Sequence, residues 1–343
     1  MRRDGVTLGI DLGASAVRAA VIDEAGRLLG ADRHRLQSKE PPQVAEAIVR
    51  ASKTACAAAG IPFGEALGLG IGIAGSVDKA TSVVQTAPGL GWHDVPLLKL
   101  LAARAPKIPL FLTNDLSAAV WGERMAGAAR GVDDLLVCLV GSHIGCGLVL
   151  GGTLQEGATG LAGELGHTKI SSSFIDAQKP GHAGRLCSCG QRGCLEAYCS
   201  GPALAGWARD DLRIAGAAAR AAGKPPTVGK RLLELVGNDP EKITSAAMER
   251  AAHEGDELSR RLLDEAARLL GYSLANVITM INPQRLLLGG GVLASSPRMT
   301  RLVTEAIDQF AGKLARQACT IGLPQLGDDA TVVGAGLIAR RAA

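Results

Sequence analysis

Two short apolar runs, residues 6–11 (VTLGID) and 17–22 (VRAAVI), flank a turn of small residues, Leu12-Gly13-Ala14-Ser15-Ala16. That pattern predicts a β-hairpin with an acid and a glycine at its mouth. The plan returns at 135–150, where LLVCLV leads into Gly141-Ser142-His143-Ile144-Gly145-Cys146-Gly147 and then LVL. The repetition predicts an old duplication: two related α/β domains, each opening with strand, glycine turn and strand, with a ligand held between them. Between the hairpins, Val44, Ile48, Ser52 and Ala55 recur at helical spacing and predict a helix over 42–59. LGLGIGIAG at 67–75 reads as a strand. IPLFLTND runs into LSAAVWGERMAG, so Asn114 and Asp115 fall at a strand-to-helix junction and offer a helix N-cap. Leu258, Leu262, Ala266, Leu269, Leu270 and Val277 keep the helical period over 256–278. That helix is expected to end near Asn282-Pro283, before a buried strand, RLLLGGG. The charged, Ala-rich stretch 208–228 with its Pro-Pro break reads as surface helix and loop. Alternating strands and helices predict a mixed α/β fold.

Length and composition narrow this further. A chain of 343 residues and 35.1 kDa is expected to form about two domains at roughly 150 residues each. With 47% hydrophobic and 20% charged residues it is too apolar for intrinsic disorder. The formal charge of +4 is spread without a run of Lys and Arg, which argues against a nucleic-acid partner. The uncharged stretch 135–155 is interrupted by Gly141, Gly145, Gly147, Gly151 and Gly152, so no membrane span is expected. Met-Arg-Arg-Asp-Gly precedes the first strand without an apolar leader, and a cytoplasmic protein is expected.

Eight cysteines occur, three of them in Cys187-Ser188-Cys189-Gly190-Gln191-Arg192-Gly193-Cys194. In a cytosolic chain that clustering favours a metal site over a disulfide framework. Three thiolates in one tight loop need a fourth, nitrogen ligand to complete tetrahedral zinc, and His167 and His182 are the candidates; reduced, metal-free thiols are the alternative. Glycine turns leave several N–H groups pointing one way, a concavity suited to phosphate oxygens. A third cluster, Gly289-Gly290-Gly291, lets a nucleotide base or ribose approach the backbone. No Ser-His-Asp or nucleophile-elbow pattern is present, which argues against hydrolytic covalent catalysis.

Taken together, DLGASAVR at 11–18, GIAGSVD at 72–78, APGLGW at 87–92, ND at 114–115, GELGH at 163–167, CSCGQRGCLE at 187–196 and INPQRLLLGGG at 281–291 resemble the ROK family (repressors, uncharacterised reading frames and sugar kinases) of the actin-like ATPase superfamily. The resemblance implies two actin-like, ribonuclease H-like α/β domains with an interdomain cleft and a small zinc-binding loop. The smaller domain spans 1–114, completed by a C-terminal helix at 327–343; the larger spans 115–326 and carries the zinc loop at 167–196. The implied activity is glucokinase-type phosphoryl transfer from ATP to the 6-hydroxyl of glucose, with N-acetylglucosamine, N-acetylmannosamine, mannose or fructose as alternatives.

Asp115 is then the base that accepts the hydroxyl proton. Gly75, Ser76, Asn114, Asp115, Glu164, His167 and Glu196 are implied sugar contacts. Asp11, Gly13, Ala14, Ser15, Arg18, Gly141, Ser142, His143, Gly289, Gly290 and Gly291 are implied nucleotide contacts, with Mg²⁺ near Asp11 through water. His167, Cys187, Cys189 and Cys194 are implied ligands of a structural Zn²⁺, with His182 kept as the alternative to His167 because the interval before Cys187 is longer than relatives usually show. A homodimer or a dimer of dimers is implied. Two further readings stay open: a sugar-responsive transcriptional regulator without the winged helix that family repressors carry ahead of the first hairpin, and a sugar-binding protein of weak turnover.

Three departures from the family pattern count against the kinase reading, and two of them, Ala14 and His143, carry the last alternative. Ala14-Ser15 stands for the usual Gly-Thr, Gly89 for a common Asn, and His143 for a small residue in the second phosphate loop. Should that loop need positive φ at His143, the strain is on the order of 1 kcal/mol and the ring crowds or contacts a phosphate; the alternative is a ring that simply faces solvent. On the crowding view, His143→Gly leaves sugar binding unchanged and lowers the KM for ATP in steady-state kinetics; equal or worse ATP kinetics removes that view.

Overall fold

The computed structural model describes residues 5–78, 80–105, 108–170, 184–223 and 227–342. Strand β1 (Thr7–Leu12) is buried at almost every position and pairs antiparallel with β2 (Ala16–Ile22), the hairpin its alternation predicts. β2 pairs in turn with β3 (Leu28–Arg35), whose half-buried, half-exposed alternation suits an edge strand. Its charged residues, Asp32, Arg33 and Arg35, hide it from a hydrophobicity reading. Helix Pro41–Ala58 follows, burying Val44, Ile48, Ser52 and Ala55 as their spacing requires.

β4 (Leu69–Ile73) runs parallel to β1. A small antiparallel meander, β5 (Ser76–Asp78), β6 (Val83–Ala87) and β7 (Trp92–Val95), leaves from its end. β8 (Leu110–Asn114) returns parallel to β4. The first sheet therefore has the order β3-β2-β1-β4-β8.

Strands β9 (Leu135–Val140), β10 (Ile144–Leu150), β11 (Thr153–Gln155), β12 (Arg285–Gly289) and β13 (Thr320–Gly322) form a second sheet in the order β11-β10-β9-β12-β13. Matched strand for strand in chain order, the two orders are the same, as the repeated hairpin anticipates. Helix Glu257–Ile281 covers the expected 256–278 and stops at Asn282, which takes a left-handed conformation at φ 53°. Leu258, Leu262, Ala266 and Leu270 are buried on its inner face. Helix Gly201–Ala221 starts ahead of the surface helix expected from 208 and has no buried residue beyond Ala208. Among the described residues, no helix is long and apolar enough to cross a membrane.

The chain divides into two compact units, Met1–Val137 with Gly147–Gly163 and Gly322–Ala343, and Cys138–Cys146 with Glu164–Ile321. This differs from the sequence-drawn boundary after 114 because helix Asp115–Met125 packs within the first unit on the C-terminal helix Ala330–Ala342. The packing is so close that side chains are excluded. A Cβ on Gly9 would overlap the Val332 carbonyl, one on Gly70 the Ala335 carbonyl, and one on Gly334 the Ala118 carbonyl. Overpacking at such a contact shifts backbone rather than a flexible side-chain tip, so Gly334→Ala is expected to cost about 1–3 kcal/mol. Gly64, with nothing within 4 Å of its would-be Cβ, provides the control. Denaturant midpoints should fall for Gly334→Ala and hold for Gly64→Ala; equal midpoints would contradict the packing account.

Candidate functional site

In the first unit, the parallel register sets Asp11 level with Gly72, and Gly72 level with Thr113. The ends of β1, β4 and β8 thus share the carboxyl edge of the sheet, where open α/β sheets bind ligands. Asn114 leaves that edge and caps the next helix: its Oδ1 accepts from Leu116 N at 2.8 Å and Ser117 N at 3.2 Å. Its Nδ2 donates to the Gly75 carbonyl at 3.0 Å, which ties the β4–β5 loop to the cap. Asp115 is the first helical residue; its Oδ1 accepts from Leu116 N at 3.0 Å, at an electropositive helix N-terminus. Ser76 Oγ shares a 2.9 Å hydrogen bond with Thr86 Oγ1. The structure therefore gathers Gly75, Ser76, Asn114 and Asp115 in one place.

The first hairpin turn closes with Gly13 N donating to Ala16 O at 3.0 Å, leaving Ala14 and Ser15 exposed at its tip. Asp11 lies opposite Arg18 across the strands, and Arg18 donates to the Asp328 carbonyl at 2.9 Å and pairs with Asp329. Burial raises the pKa of Asp11, against the lowering charges of Arg18 and Arg33 and with a further rise from Asp328. Two of the departures meet here. A Cβ on Gly89 would come within 2.8 Å of Ala14 Cβ, so the loss of a side chain at 89 makes room for the one gained at 14.

In the second unit, the turn between β9 and β10 is fixed by Gly141 N donating to His143 O at 2.9 Å, and by Gly201 N donating to Gly141 O at 2.9 Å. His143 is not among the described residues with positive φ, so the condition for strain at this position is not met. Its ring is 76% exposed, and Nδ1 lies 3.4 Å from Glu196 Oε1. Glu196 itself is only 3% exposed. Its Oε2 accepts from Ile144 N at 3.1 Å and its Oε1 from Ser188 Oγ at 2.6 Å. Burial works against its charge, but the hydrogen bonds from His143, Ser188 and the Ile144 N–H, with the His143 charge, outweigh it and hold the carboxyl at about 2. Ser142, His143, Arg185, Ser188, Glu196 and Ser200 line a cleft of about 370 Å³ there. At the end of β12, Gly290 has φ 89° and lies against the Val140 backbone with no room for a side chain. Gly291 opens the next helical turn, Gly291–Ala294.

Glu164 and His167 flank a single 3₁₀ turn, Leu165–His167, with His167 Nε2 at 3.8 Å from Glu164 Oε2. Burial raises the Glu164 pKa; His167 and His143 lower it and Glu196 adds to the rise. On its other side, His167 Nδ1 lies 3.6 Å from Cys187 Sγ, and Cys189 Sγ lies 3.7 Å from Cys194 Sγ. The four donor atoms all fall within 4.8 Å of one another. Tetrahedral zinc with Zn–S of about 2.3 Å and Zn–N of about 2.0 Å sets its ligands roughly 3.5–3.8 Å apart, so this donor set fits the ion. Gly190 at φ 83° and Gly193 at φ 75° turn the loop back on itself. His182, the alternative ligand, lies outside the described residues. Two residues escaped the sequence reading. Ser188 was readable only as the spacer between two cysteines, and Lys169, two places after His167, donates to Cys194 Sγ at 3.0 Å.

A family model described as the ROK family matches residues 7–342. The glucokinase of Streptomyces coelicolor is 30% identical over 337 residues, which cover 98% of this chain and 98% of that one. A crystal structure of a ROK family glucokinase from Streptomyces griseus, in complex with glucose and AMPPNP, is 29% identical with a TM-score of 0.76 and covers 98% of this chain and 100% of that one. The xylose repressor of Caldicellulosiruptor bescii is 27% identical over 339 residues, 96% of this chain and 77% of the repressor. With one family matched from the first strand to the last helix, the chain belongs to the ROK family.

Proposed function

We propose that the protein is an ATP-dependent hexose kinase that phosphorylates the 6-hydroxyl of glucose. The observation that carries the reading is Asp115, a carboxylate at the carboxyl edge of a sheet and the start of a helix, in a chain similar along its length to glucokinases. As the sugar oxygen bonds to the γ-phosphorus and the bond to the ADP oxygen breaks, the hydroxyl proton passes to the Asp115 carboxylate. Asn114, Glu164, His167 and Glu196 are assigned to the sugar hydroxyls, because amide, carboxylate and imidazole groups bond vicinal OH groups directionally. Glu196, held ionised by three donors, would act as an acceptor only.

The backbone turns at Gly13–Ser15 and Gly141–His143 are assigned to the phosphates, and Gly289–Gly291 to the nucleoside. Mg²⁺ arriving with the nucleotide would offset phosphate charge, with Asp11 the nearest carboxylate through water. Zn²⁺ held by His167, Cys187, Cys189 and Cys194 would supply a cross-link that fixes the His167 ring and its tautomer. A second reading, sugar binding with weak turnover, draws on the Ala14 and His143 side chains in the two phosphate turns.

ADP release assayed across a panel of hexoses separates the two readings, glucose turning over fastest in the first. Asp115→Asn is expected to lower kcat by about 10²–10⁴-fold with thermal stability kept, since the helix cap comes from Asn114. Turnover surviving in that variant removes Asp115 as base. Metal analysis should find zinc in step with protein, and stripping it with a chelator should raise the KM for glucose; sugar kinetics indifferent to the metal would count against the His167 assignment.

A further inference from the structure

After His167 the chain returns alongside the cysteine loop as a short antiparallel pair. Lys169 bridges to Cys194, Ile170 N donates to Gly193 O at 3.0 Å, and Leu195 N donates to Thr168 O at 3.0 Å. From this pairing the Lys169 side chain reaches two acceptors: Nζ lies 3.0 Å from Cys194 Sγ and 3.0 Å from the Arg192 carbonyl. One ammonium thus touches a candidate metal ligand and the backbone of the loop that carries it.

The charge of the donor set gives this contact a purpose. Three thiolates and a neutral imidazole around a divalent zinc leave one net negative charge. The cluster is asymmetric, since Cys194 is 0% exposed whereas Cys189 is exposed. On the Cys189 side, water can solvate the thiolate. On the Cys194 side it cannot, and an uncompensated buried charge is costly. A lysine donating to the buried sulfur supplies both the opposite charge and the hydrogen bond that water would otherwise give. Because the same Nζ holds Arg192 O, it also fixes the backbone two residues before the ligand.

We propose that Lys169 is a positioning residue of the metal centre: its ammonium compensates the Cys194 thiolate and clamps the 185–194 loop, so that Zn²⁺ is held tightly on its buried side and exchanges through the exposed Cys189 side. The proposal rests on the zinc reading of the cluster, and the test separates the two. Full-length wild type, Lys169→Met, Lys169→Gln and Lys169→Arg are analysed for zinc, then mixed with a colorimetric chelator to follow metal release, with far-UV circular dichroism as the folding check. Outer-shell partners typically change metal affinity by about 10–100-fold, so Lys169→Met is expected to release zinc at least about tenfold faster. Lys169→Gln, which keeps a donor without charge, falls between, and Lys169→Arg recovers most of the wild-type rate.

In the cobalt-substituted proteins, the thiolate-to-metal charge-transfer band should shift in Lys169→Met and return in Lys169→Arg, a change that loop packing alone would not produce. Wild-type release rates and an unshifted cobalt spectrum in both Lys169→Met and Lys169→Gln overturn the clamp while leaving the metal site standing. A wild-type protein without stoichiometric zinc overturns the metal reading and the clamp with it.

Discussion

The contact that organises the first unit is backbone against backbone: the C-terminal helix lies on β1, β4 and helix Asp115–Met125 at a distance only glycine permits. Carbonyls of Val332, Ala335 and Ala118 occupy the space where side chains of Gly9, Gly70 and Gly334 would be. Both ends of helix Asp115–Met125 are tied to the same C-terminal segment. At its start, Thr331 Oγ1 donates to the Asp115 carbonyl at 3.4 Å. At its far end, Glu123, only 1% exposed, accepts from Leu326 N at 2.7 Å, Gln325 N at 3.1 Å and Ala128 N at 2.8 Å. A buried carboxylate is tolerable there because backbone donors satisfy it. The helix that begins with the proposed base is thereby pinned in position along its length.

The second unit is organised by a different carboxylate. Glu196 joins the β9–β10 turn, through His143 and the Ile144 N–H, to the cysteine loop through Ser188. Its environment and that of Glu164 drive two glutamates in opposite directions, one held ionised by donors and one pushed toward its neutral form by burial. His167 stands between the proposed metal and Glu164, so the geometry of the cysteine loop reaches the more exposed acid through one imidazole ring.

Much of this architecture was legible because it rests on local rules. The two hairpins announced themselves as apolar runs around small-residue turns, and Asn114 as a polar residue between a strand and an amphipathic run. The cysteine spacing gave three of four clustered donors, and the family resemblance chose His167. What stayed hidden was set by partners far away in sequence. β3 is polar because it is an edge strand, and the meander β5–β7 is made of strands too short to show a period. Nothing in the sequence around Gly89 reveals that it yields space to Ala14, which lies far back along the chain and is brought near only by the fold. At His143 the sequence left backbone strain, a phosphate contact and a ring facing solvent all open; the ring does face solvent without positive φ, and what stayed hidden is its 3.4 Å approach to the buried Glu196.

The glycine-lined docking of the last helix also orders events in time. Arg18 and its carbonyl partner at Asp328 are separated by 310 residues. While a ribosome is still extruding the middle of the chain, the groove along Gly9 and Gly70 has nothing to fill it, and the first sheet waits with one apolar face bare. The amino-terminal sheet therefore cannot complete its core until helix Ala330–Ala342 has been made.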